Sequence, residues 1–189
     1  MKTQIKLLAL AALFTASFTS HASVKVVQGT YVPVKGTVET FEVSDPSQGE
    51  APQQLGRYKI YLINSAWRSM SAGERAATQY LIKVEGLVAG EIDPATMLVS
   101  HKLLDDDHQY TLRSENDFFI PQSGDMFCST GTPLVIQEQI NLVKGTGKYA
   151  NLSEGTIMLN GVINNCPSEP EFGKNVLEVI PFQGSVTFE

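Results

Sequence analysis

The sequence predicts an all-β domain whose strands form a single closed antiparallel barrel of about eight strands, with a short helical turn at most. Three observations predict it. Beyond residue 23 the chain is a succession of short runs in which apolar and polar residues alternate, the period of a half-buried strand. Gly, Pro, Asn and Asp interrupt these runs throughout. No stretch carries the 3.6-residue apolar period of a core helix. So many strands left as an open sheet would present two unpaired edges, and closure removes them.

The elements follow in order. Val24 to Val34 and Gly36 to Val43 read as two strands parted by a turn around Pro33. Ser44 to Gln54 is polar and rich in Pro and Gly, a loop. Arg57 to Asn64 alternates around Tyr58, Ile60 and Leu62. Ser69 to Thr78 holds Ala72, Glu74, Arg75, Ala76 and Ala77, enough for one or two helical turns. Gln79 to Val88 alternates again, with Tyr80, Ile82, Val84 and Val88 on one face. Met97 to Leu104 is a strand with His101 in register with Met97, Val99 and Leu103, ended by Asp105-Asp106-Asp107-His108. Tyr110 to Arg113 and Phe118 to Ile120 are short pieces. Thr132 to Val143 puts Leu134, Ile136, Glu138, Ile140 and Leu142 on one face. Gly155 to Ile163 and Val176 to Phe188 complete the set. No longer period repeats, which argues against a solenoid or propeller.

Residues 1–22 read as a cleaved signal peptide, and residues 23–189 as one β-barrel domain. Lys2 and Lys6 flank a charged n-region, Leu7 to Phe18 forms a 12-residue apolar run, and Ser20-His21-Ala22 puts small residues at −3 and −1. The run is shorter than the roughly 20 residues that span a bilayer. No cysteine near the cut provides for a bacterial lipid anchor. The expected product is exported, periplasmic or extracellular, and its 167 residues suffice for a real core. Without Lys2 and Lys6, 12 cations face 20 acids, a charge of about −8. That balance argues against nucleic acid and anionic membrane surfaces as partners. Apolar content of 42% excludes a wholly disordered chain. Cys128 and Cys166, both in turn-like surroundings behind an export signal, read as a disulfide rather than a working thiol.

The segment Gly145-Thr146-Gly147-Lys148-Tyr149-Ala150-Asn151-Leu152-Ser153-Glu154-Gly155 resembles the GTGxYAxxxG stretch of the allene oxide cyclase and dirigent superfamily of eight-stranded barrels. The closing Gly184-Ser185-Val186-Thr187-Phe188 is similar to that family's ending. The resemblance covers about the last third of the chain and marks a barrel corner, with Gly145, Gly147, Tyr149 and Gly155 as its structural residues. It implies a calycin-like barrel whose cavity holds a small apolar molecule. None of the family's catalytic residues maps onto this chain. The glycines also lack the Lys-Ser/Thr continuation of a phosphate loop.

Glu138 is the candidate for chemistry, because alternation points it into the barrel among Leu134, Ile136, Ile140 and Leu142. A carboxylate in an apolar interior is paired, hydrogen-bonded or shifted upward in pKa, and an upward shift suits general acid or base work. The structural alternative is an outward bulge or a pairing with a neighbouring cation. Asp105 to His108 lacks the spacing of a calcium loop and reads as a solvated turn. His101 reads as a core or wall histidine. Two histidines in the mature chain, with no G-x-S-x-G and no H-E-x-x-H, give a serine hydrolase or zinc protease no handle. No cofactor or metal motif is present. Asn151-Leu152-Ser153 is a glycosylation sequon, relevant only in a glycosylating host. Tyr58, Tyr61, Trp67 and Tyr80 read as core filling rather than a stacking mouth.

The expectation is an exported soluble barrel that binds a small, largely apolar ligand. The alternatives are a cyclase or isomerase acting by confinement with Glu138, and a ligand-free envelope or extracellular interaction domain. An outer-membrane barrel is disfavoured by Gln137, Gln139, Asn141, Lys83 and Glu85 on the outer faces. Whether the chain catalyses, which ligand it takes and its oligomeric state are left open by the sequence.

Overall fold

In the computed structural model, residues 26–44 and 51–189 are described; the expected signal segment lies outside them. Nine β segments build one antiparallel sheet: β1 (Gly29–Glu42), β2 (Gln53–Asn64), β3 (Leu81–Ile92), β4 (Val99–Asp105), β5 (Thr111–Ser114), β6 (Phe118–Ser123), β7 (Leu134–Gly145), β8 (Leu152–Ile163) and β9 (Lys174–Phe188). The order is β5-β4-β3-β2-β1-β9-β8-β7-β6, and β5 also pairs with β7. That second pairing closes the sheet. Because β5 lies on Leu142–Gly145 and β6 on Val135–Gln139 of the same strand, the two share one stave, and the barrel has eight.

Alternation does most of the work. In β3, Ile82, Val84, Val88 and Ile92 face inward, with Gly86 and Gly90 between them, while Lys83, Leu87 and Glu91 face out. The inward sets of all staves merge into a single core. Tyr31, Tyr149 and Phe188 fill one end of it, their rings tilted or edge-on at 6.1 and 6.3 Å. At the same end lies the segment between β2 and β3, whose Gln79 carbonyl accepts from the Tyr31 hydroxyl and where Ser71 and Glu74 form a capping box on α1 (Ala72–Ala77), the one α-helix among the described residues. The opposite, more polar end mixes apolar Ile92, Leu134 and Ile163 with inward polar side chains. Thr40 donates to Gln54 (2.9 Å) and accepts from Asn175 (3.3 Å), and His101 sits on the neighbouring strands.

Three local expectations are corrected. The expected pair of N-terminal strands is one strand, β1, because a register shift between Pro33 and Lys35 absorbs the proline that lacks a donor. β4 starts at Val99, not at Met97, whose φ of 59° places it in the preceding turn. Of the four aromatics read as core, only Tyr58 is buried: Tyr61 lies outside under Lys35, and Trp67 packs on Tyr80 at 5.0 Å.

Cys128 and Cys166 form a disulfide, tying the loop before β7 to the loop before β9 at the polar end. It is consistent with an oxidising compartment. At the opposite end the Gly145–Gly155 segment makes a tight corner. Gly147 has φ of +56°, and a Cβ there would lie 1.9 Å from the Tyr110 ring; Tyr149 beneath it is buried.

Candidate functional site

Glu138 points into the barrel and is 2% exposed. Its wall neighbours on β7 are Ile136 and Ile140, and Leu159 opposes it on β8. From the other side comes His101, which β4 places inward between Val99 and Leu103. Gly90 is its cross-strand partner, and the absence of a side chain there gives the imidazole room: a Cβ would lie 3.1 Å from its Cδ2. His101 Nε2 and Glu138 Oε1 are 3.8 Å apart, an ion-pair separation but too long for a hydrogen bond.

The rest of the cluster comes from the break in the shared stave. After β5 the chain leaves its ladder at Glu115–Asn116–Asp117, and Asp117 turns inward, fully buried. Its Oδ2 accepts from His101 Nδ1 (2.8 Å) and from the Ser114 hydroxyl; its Oδ1 accepts from the Asn141 N–H (2.6 Å). Ser114 Oγ in turn accepts from the His101 N–H (2.9 Å). Asp117 therefore fixes the imidazole with Nδ1 protonated and Nε2 directed at Glu138. This is not a hydrolase triad, because Ser114 and Asp117 both sit on the Nδ1 side and leave no base for the hydroxyl.

Electrostatics follow from the burial. Desolvation pushes the Glu138 carboxyl up to about 7; the nearby His101 opposes this and Asp117 adds to it. Burial alone would push His101 down. The Asp117 hydrogen bond and the Glu138 and Asp117 charges outweigh it, so the net direction is upward. The two groups face each other at 3.8 Å and titrate as a coupled pair. Among the described residues Glu138 Oε1 receives no hydrogen bond.

Comparison with protein-family models, curated proteins and solved structures returned no match. The site thus stands on its own geometry.

His101, Asp117 and Glu138 can each present a ligand atom within 4.8 Å of the others. As arranged, both Asp117 oxygens are committed to Ser114, His101 and Asn141, which leaves two donors, fewer than the three protein ligands of a catalytic zinc site. The arrangement is better suited to holding and moving a proton. Elsewhere, Asp105 is buried, pairs with Lys148 Nζ at 2.9 Å and accepts from the N–H groups of Gln109 and Tyr110. Asp106, Asp107 and His108 are exposed, so this run is a turn held by its first member. The sequence reading singled out Glu138 but missed Ser114 and Asp117. Ser-Glu-Asn-Asp looks like any polar turn, and only the shared stave brings Asp117 back to β4, where it bridges Val99.

Proposed function

We propose that the protein is an exported β-barrel that binds one small, largely apolar ligand at the polar end of its interior, with Glu138 and His101 as the polar contact. The observation that carries this is the unsatisfied Oε1 of Glu138, buried in an apolar wall and facing His101 Nε2. Buried polar atoms in folded proteins nearly always have a partner, and one without calls for an explanation, here a bound ligand oxygen. One ligand oxygen placed between the two groups hydrogen-bonds both, while the alkyl part lies against Ile136, Ile140 and Leu159. An eight-stranded barrel has room either for side chains or for one small ligand. In this reading side chains fill the aromatic end, and the ligand takes the polar end beside Glu138 and His101. The resemblance to allene oxide cyclase and dirigent barrels supports the same reading. Lys59, Lys83, Glu85, Lys102 and Arg113 on the outer face speak against insertion in a bilayer.

The test is native mass spectrometry of mature protein from its own host, then titration with the neutral probe N-phenyl-1-naphthylamine. A co-purifying small molecule, or saturable probe binding that E138L alters, supports the reading. An empty, probe-silent protein sinks it in favour of a ligand-free interaction domain.

A second reading rests on the position of Glu138 near neutrality. A carboxyl with pKa about 7 against a histidine suits general acid–base catalysis, here a cyclisation or isomerisation under confinement. Recovery of the bound molecule as an isomer of the one supplied, lost in E138Q, distinguishes catalysis from binding.

A further inference from the structure

The outer face of the barrel carries one row of directly opposed residues: Phe41 on β1, Leu55 on β2, Ala89 on β3, Lys102 on β4, Arg113 on β5 and Lys144 on β7. Its first three members are apolar and its last three are cationic. From Leu55 to Lys144 the row lines one groove of about 500 Å³, within the size range of ligand clefts. A neighbouring cleft shares Leu55 and continues the apolar end through Phe41 and Leu87. Phe41 and Leu55 are about half exposed, an unusual cost for two large opposed side chains on a surface.

The cationic end is also costly. Like charges directly opposite on adjacent strands destabilise a sheet, and here three stand in line. The chain as a whole has 20 acids to 14 bases, so the cluster runs against its own balance. Among the described residues neither Lys102 nor Lys144 belongs to an ion pair; Arg113 has only the exposed Glu115 at 3.4 Å, and Glu91 is the one acid lining the groove. The Thr111 and Thr146 hydroxyls are hydrogen-bonded to each other at 3.1 Å, which leaves one O–H as a neutral donor beside the cations.

We propose that this groove binds an anionic amphiphile: Lys102, Arg113 and Lys144 hold a carboxylate, phosphate or sulfate head, and Leu55 and Ala89 carry the alkyl segment towards Phe41. The occupant is a single molecule rather than a bilayer, because the row crosses six of the eight staves and turns with the barrel, while a flat surface touches only part of it. The groove opens on the outer face; His101, which faces Glu138 inside the barrel, also borders it.

Calorimetric titration of the mature protein with decanoate below its micelle concentration, beside 1-decanol and acetate, tests it. One saturable decanoate site is expected, about tenfold or more tighter than either comparator, and weakened by salt. K102A/K144A lowers decanoate affinity by about tenfold or more and raises the ligand-free melting temperature, because the repulsion is relieved. L55S weakens decanoate but not acetate; decanoate binding lost in E138Q but kept in L55S overturns the proposal, because it places the ligand inside the barrel. Equal affinity for decanoate and 1-decanol, or unchanged decanoate binding in K102A/K144A, overturns the proposal. So does sedimentation with anionic phosphatidylglycerol vesicles by protein that binds decanoate no better than acetate.

Discussion

Glu138 sets the pH behaviour of the core. Its carboxyl titrates near 4.5 in the unfolded chain and at about 7 in the folded one, so between these values the folded state holds the extra proton. Stability is therefore full below about 4.5 and falls as pH rises towards 7, by roughly 3 kcal/mol for the shift in question. His101 acts in the same direction, since its raised pKa lends stability below its unfolded value that is lost as pH rises through the folded one. Melting temperature measured from pH 4.5 to 8 should thus decline, and E138Q should flatten the decline; a profile rising across this range in the unmodified protein would contradict the assignment. Asp117 is a structural carboxylate whose two oxygens accept three hydrogen bonds. D117A strands the imidazole, the Ser114 hydroxyl and the Asn141 N–H at once and should cost about 3–5 kcal/mol in urea unfolding.

At the scale of elements, the stave shared by β5 and β6 is the weak point and the origin of the site. Its break at residues 115–117 gives up ladder bonds, and Asp117 recovers them through Val99 and Asn141. The disulfide holds the long loops beside this end, closing a span of 38 residues. Its loss removes roughly 4 kcal/mol in the chain-entropy model. C128S/C166S should therefore melt roughly 10 °C lower, and reductant should bring the unmodified protein to the same value. At the other end Gly147 is fixed by the Tyr110 ring. G147A, with both a left-handed φ and a 1.9 Å approach against it, should cost about 1–3 kcal/mol.

For the whole molecule the decisive contact is the pairing of β1 with β9, which joins strands near the two ends of the described chain. No edge remains on those strands for another chain to extend. Such pairing must wait for a long loop to close, so refolding should take milliseconds to seconds, as in other barrels dominated by non-local pairs. Stopped-flow fluorescence of the single Trp67, which packs on Tyr80 beside β3, follows it; a microsecond phase reaching full native signal would contradict this.

The period-2 pattern by itself determined the fold class, the inward faces of β2, β7 and β8 and the inward direction of Glu138, because a strand's alternation is local and side-chain direction follows from it. It also placed the two cysteines in turns. What decided the rest was pairing between distant strands. Register alone puts His101 across from Gly90, brings Asp117 from a polar turn onto the imidazole, and lines Leu55 and Ala89 up with Lys102, Arg113 and Lys144. These contacts depend on where the barrel closes, a property of the whole chain's burial that no local window contains.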